Sequence, residues 1–115
     1  MNWKPISSEK QIEEIIQLSF QQPIAIFKHS TSCSISYMAK MRLEENVTAI
    51  NKNVTFYFLD LLKYRSISNL IAETFQVYHE SPQLILIKDG EAEYDASHFD
   101  ISVDELNESL AYHYG

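Results

Sequence analysis

Two short, almost uninterrupted apolar runs, Pro23–His29 (PIAIFKH) and Val54–Asp60 (VTFYFLD), constrain this chain more than any other feature. Runs of this length, rich in β-branched and aromatic residues, read as strands buried on both faces rather than strands with one wet side. Between them, the spacing of Ile35, Met38, Met41, Leu43, Val47 and Ile50 predicts a helix from about Ser34 to Ile50. The helix formers from Ala39 to Glu44 support it. Strands joined by a helix pair in parallel through a right-handed crossover. Helices must then cover both faces of the sheet, which makes the fold α/β.

The flanking segments complete the pattern. Ser7 or Ser8 can cap a first helix, with Gln11 as capping-box partner of Ser8; Ile12, Ile15, Ile16 and Phe20 form its apolar face and Pro23 stops it. After the second strand, RSISNLIAETFQVY is helical by Ile67, Leu70, Ile71 and Phe75. Ser81–Pro82 opens QLILIKDGEAEYDAS, in which Asp89–Gly90 marks a two-residue hairpin turn. Ser102 and Glu105 form a capping box for a last helix carrying Leu106, Leu110 and Tyr114. The order αβαβαββα predicts one domain over residues 1–115, a four-stranded mixed sheet flanked by helices in a thioredoxin-like arrangement.

Composition narrows the function. A net charge of −7 repels nucleic acid and anionic membrane surfaces. The N-terminal residues lack the apolar core of a signal peptide, and no apolar run approaches the ~20 residues that span a bilayer. A cytoplasmic location is expected. One cysteine and scattered histidines supply no metal-ligand spacing, so neither a protein-held metal nor a tightly bound cofactor is expected.

That cysteine, Cys33, lies in KHSTSCSIS, between the first strand and the following helix. Unpaired N–H groups and the dipole of a helix start favour a thiolate, and the thiolate is the nucleophile. Ser32, Ser34 and Ser36 add hydroxyls able to hydrogen-bond it, whereas a packing cysteine seldom sits among so many polar neighbours. Pro82, opening a strand beside this loop, suggests a cis proline, which would leave the backbone of Ser81 free to pair with a substrate in β fashion.

The segments FKHSTSCSIS, HESPQLILIKDG and ASHFDIS together resemble the monothiol bacilliredoxin family along nearly the whole chain. That family carries Thr-Cys-Pro-Ile-Ser behind a Lys-His-Ser stretch. Lys28, His29, Ser30, Cys33, Ile35 and Ser36 match it, while Ser32 stands in place of Thr and Ser34 in place of Pro. The resemblance implies a thioredoxin-fold monothiol disulfide reductase that removes bacillithiol from S-bacillithiolated proteins through Cys33. Free bacillithiol would be the co-substrate that regenerates the thiol, and the protein would work as a monomer. Ser81, Pro82, Ser97 and His98 are the expected substrate contacts, the last two because ASHFDIS approaches the proline loop in this fold. For His29, a structural hydrogen bond at the strand end is expected. Two other functions compete: a non-enzymatic redox-sensing thiol module, and an iron–sulfur carrier of the monothiol-glutaredoxin kind. The glycine of the carriers' Cys-Gly-Phe-Ser is missing from Cys33-Ser34-Ile35-Ser36.

Overall fold

A computed structural model describes all residues, Met1–Gly115. Five strands and four helices follow one another as β1 (Trp3–Pro5), α1 (Lys10–Leu18), β2 (Ile24–His29), α2 (Ser34–Glu45), β3 (Thr55–Asp60), α3 (Arg65–Phe75), β4 (Gln83–Lys88), β5 (Glu91–Ser97) and α4 (Val103–Tyr114). Single 3₁₀ turns, Val47–Ala49 and His98–Asp100, follow α2 and β5. The sheet order is β1-β3-β2-β4-β5, with β1, β2 and β3 parallel and β4 antiparallel to both neighbours.

The expected four strands are five. The extra strand, Trp3–Pro5, pairs with Phe56–Phe58 at the sheet edge. Three residues ending in proline show no period, and Pro5 has no N–H for the ladder. Long-range contacts hold it: the Trp3 ring packs on Phe27, Phe56 and Phe58, and its Nε1–H donates to Glu44 of α2 at 2.8 Å.

The two faces bury separate cores. α1 and α3 cover one, packing Ile12, Ile15, Ile67, Ile71 and Phe75 on Ile24, Ile26, Leu59, Ile85 and Ile87. α2 and α4 cover the other, with Ala39, Leu43, Leu106 and Leu110 on Ala25, Phe27, Phe56, Leu84 and Leu86. Each fully buried Leu, Ile or Phe contributes about 1.5–3 kcal/mol relative to exposure.

Several boundaries differ from expectation for local reasons. α1 begins without a serine cap: the Gln11 side chain reaches back to accept from the N–H groups of Ser7 (2.7 Å) and Ser8 (3.1 Å). α2 stops at Glu45, where the Asn46 side chain takes the Arg42 carbonyl and the chain tightens into a 3₁₀ turn. Its sheet-facing stripe is Ser36, Ala39 and Leu43, and Met38 and Met41 are about half exposed. Small residues let this helix lie close to the sheet. The Asp89–Gly90 hairpin forms as expected, both residues at positive φ (51° and 80°), as a type I′ turn demands. Ser102 caps α4, its Oγ accepting from the Glu105 N–H at 3.1 Å.

Candidate functional site

The chain direction gathers the polar residues at one end of the sheet. β2 ends at His29, parallel β3 ends beside it at Asp60, and antiparallel β4 begins there with Gln83 opposite Lys28. β5 returns to the same end, where Ser97 stands opposite Gln83. The loop after β2 carries Cys33, the loop before β4 carries Pro82, and the turn after β5 carries His98.

Cys33 is the N-cap residue of α2, in extended conformation (φ −121°, ψ 119°), a free and partly exposed thiol. Its backbone N–H donates to the Ser30 carbonyl (3.2 Å), and its own carbonyl accepts from Tyr37 N–H (3.4 Å). Its side chain makes no capping hydrogen bond, so the N–H groups of the first helical turn have no side-chain partner. Ser32 and Ser34 are exposed on either side of it, and the Ser32 Oγ lies 3.2 Å from the Ser30 Oγ.

Ser36 is fully buried. Its Oγ accepts from the Ser30 N–H (3.0 Å) and lies 2.6 Å from His29 Nδ1. Both recorded partners belong to the β2 end, so this hydroxyl fixes the loop on which Cys33 stands. His29 is buried against Phe27, Phe58 and the edge of Tyr37. Burial and then the Lys40 ammonium hold its imidazole below the ordinary range, against smaller opposing effects of Asp60 and Glu44. It is a neutral structural histidine, in keeping with its strand-end position.

The Ser81–Pro82 peptide is cis, and Pro82 is buried. The Pro82 carbonyl accepts from the His98 N–H at 3.0 Å, so the turn after β5 does approach the proline loop. His98 has a left-handed backbone (φ 56°), uncommon outside glycine. Its carbonyl accepts from Arg42 of α2 (3.2 Å), and its ring Nε2 lies 3.3 Å from Glu80 Oε2. Arg42 also donates to the Ile101 carbonyl at 3.1 Å, tying the turn to the helix that carries the thiol at its start. Arg42 and Glu80 escape sequence reasoning because each acts on a residue remote in the chain.

On the α3 face, Lys28 is fully buried. Its Nζ donates to the Ser68 carbonyl (3.1 Å) and to His79 Nδ1 (3.4 Å). Burial pushes its pKa down to about 8. Within the apolar run PIAIFKH nothing distinguishes this lysine from one that ends a strand in solvent.

Comparison with known proteins agrees with this geometry. A thioredoxin-fold structure, of a protein proposed to be an oxidoreductase, superposes with a TM-score of 0.80 at 29% identity, covering 93% of this chain and 92% of that one. Thioredoxin O2 from Arabidopsis thaliana in the oxidised state gives 0.72 at 18% identity (98% and 95%), and Fasciola hepatica thioredoxin 0.71 at 18% (96% and 98%). The latter two carry the fold alone. The family model described as monothiol bacilliredoxin BrxC matches residues 4–106. With the lone thiol at a helix start and the cis proline at the same end of a thioredoxin-type sheet, the chain belongs to the monothiol bacilliredoxin family, and its role is thiol redox chemistry.

Proposed function

We propose that the protein is a monothiol disulfide reductase that removes bacillithiol from S-bacillithiolated proteins, acting as a cytoplasmic monomer. The observation that carries this reading is the environment of Cys33: a partly exposed thiol at the start of α2, with a buried, structurally engaged serine at the position of a resolving thiol. No second cysteine exists in the chain, so a disulfide formed at Cys33 must be resolved from solution.

In the first step the Cys33 thiolate attacks the bacillithiol sulfur of the client's mixed disulfide. The S–S bond breaks, the client leaves as a thiolate, and Cys33 holds bacillithiol in a new disulfide. A free bacillithiol thiolate then attacks the bacillithiol sulfur on Cys33. Bacillithiol disulfide departs and the Cys33 thiolate is restored, so in each cycle one free bacillithiol takes the client's place in the disulfide and the client leaves as a thiol. The cis-proline loop and the Ser97–His98 turn border the side from which the disulfide approaches, and Ser81, Pro82, Ser97 and His98 are the proposed contacts.

The test uses a bacillithiolated client of known mass, followed by intact-mass spectrometry in the presence of free bacillithiol. Sub-stoichiometric protein should release all of the client, with a transient bacillithiol adduct on Cys33. The C33A variant should release client only at the uncatalysed rate. Release limited to one client per protein would instead identify a sensing module, and equal release by C33A would sink the reading.

A further inference from the structure

Lys28 is an unusual residue for its place. It is 0% exposed, faces the apolar α1/α3 core, and has no carboxylate within ion-pair distance. A buried ammonium is costly to keep, and replacing it by an apolar side chain is often neutral or stabilising. What its two hydrogen bonds hold is therefore informative. One goes to the Ser68 carbonyl in α3, the other to His79, three residues before the cis proline. Ser68 Oγ also lies 3.3 Å from the same His79 nitrogen. On the strand side, Lys28 stands opposite Gln83, the residue after Pro82, whose Nε2 donates to the Tyr78 carbonyl at 2.9 Å. The loop from Tyr78 to Pro82 is thus held from two directions by a polar pair at the end of an otherwise apolar face. Tyr78 and His79 themselves are exposed, so little apolar packing restrains this segment.

We propose that Lys28 is a positioning residue for the thiol–disulfide exchange: its ammonium clasps His79 to α3 and so fixes the loop that presents Ser81 and Pro82 to the incoming disulfide. The assignment rests on the reductase reading for its functional half. Its structural half, the fixing of the loop, stands without it. Lys28 acts on docking and not on the attacking sulfur, which hangs from the opposite end of the Ser30–Cys33 loop.

The clasp has a bounded pH range. It needs a charged Lys28 and an unprotonated His79 Nδ1. The lysine deprotonates from about pH 8 upward because of its burial. His79 is held below the ordinary histidine range by burial first, then by Lys28 and Arg65, with Glu80 opposing. The other charged or polar groups around the pair are Arg65 and Ser68 of α3, Glu80 of the loop, and Gln83 of β4 with Asp95 of β5 behind it.

The experiment compares wild type, K28M, H79A and the double variant. With bacillithiolated client at pH 7, K28M and H79A should each raise KM about five- to tenfold with kcat within about twofold, the scale of one ordinary hydrogen bond lost. The double variant should be no worse than either single one, because both remove the same clasp. The KM ratio of K28M to wild type should shrink toward one above pH 8, where the wild-type clasp is also lost. In parallel, hydrogen exchange should show faster exchange of the His98 amide, whose bond to the Pro82 carbonyl depends on the loop's position, in K28M and H79A, with β2 unchanged. Unchanged His98 exchange in both single variants would overturn the proposal, as would additive KM effects or a fall in kcat alone. If the wild type releases no bacillithiol, the exchange arm still decides whether Lys28 fixes the loop, so failure of the reductase reading is told apart from failure of the clasp.

Discussion

Lys28 and His29 are neighbours on β2 and point to opposite faces of the sheet, both almost wholly buried (0% and 2% exposed). On the α2 face the polar group is a neutral imidazole, stacked among aromatic rings and paired with Ser36 at 2.6 Å. On the α3 face it is an ammonium with two acceptors, and beside it the Gln83 Oε1 and Ser81 Oγ are buried without partners. The first arrangement builds a rigid platform under the thiol, and its hydrogen bonds add to stability. The second detracts from stability in order to hold a loop. The same strand end therefore serves the site in two currencies, rigidity on one side and placement on the other.

Substitutions on the two faces should separate these roles. H29A removes packed ring volume and strands the buried Ser36 hydroxyl. It should destabilise the protein by about 3 kcal/mol in urea denaturation at pH 7. The native imidazole is held below its unfolded pKa of about 6.5. Wild-type stability should therefore fall as pH drops below about 6.5, and H29A should lose part of that slope.

K28M should do the opposite. With Lys28 pushed down to about 8 from 10.5, the unfolded chain binds more protons between those pH values, so wild-type stability rises across the window, by up to roughly 3 kcal/mol. K28M should lack that rise and should exceed wild type at pH 7 by about 1–3 kcal/mol, seen as a higher urea midpoint at unchanged slope. A K28M protein less stable than wild type would erase the contrast between the faces.

S36A leaves the Ser30 N–H and His29 Nδ1 without their shared partner. A loss of about 1–2 kcal/mol is expected, together with faster exchange of the Ser30 amide. The smallest effect belongs to E80Q. The Glu80–His98 pair is about half exposed on both sides, so stability should change by less than about 0.5 kcal/mol in the same assay.

The α/β order, the parallel crossover, the hairpin turn, the position of Cys33 and the proline loop are all legible in the sequence. Each follows from local pattern: an apolar run, a capping residue, an Asp-Gly pair. The cis peptide at Pro82 fits the reading of the fold as a whole. Strand β1 is not legible, because three residues carry no period and the strand exists only where Trp3 meets Phe27, Phe56 and Phe58. The buried stripe of α2 misleads in the same way: hydrophobicity points to Met38 and Met41, whereas close approach to the sheet selects Ser36 and Ala39. Lys28 is hidden for a related reason. Only the contacts of α3 and the proline loop distinguish a buried lysine from an exposed one, and those residues lie 40 and 51 positions away.

The Asp89–Gly90 turn, at the opposite end of the sheet, is fastened to the end of α1: Asp89 N–H donates to the Ser19 carbonyl (3.1 Å) and Gly90 N–H to the Ser19 hydroxyl (2.8 Å). The β4–β5 hairpin is therefore fastened at both ends, at its tip by Ser19 and at its base by the His98–Pro82 bond and the Arg42 side chain, the reverse of a hairpin whose tip frays into solvent. Local opening of this ribbon should cost close to what opening the whole sheet costs. A client would thus meet a wall that keeps its shape at the point of contact.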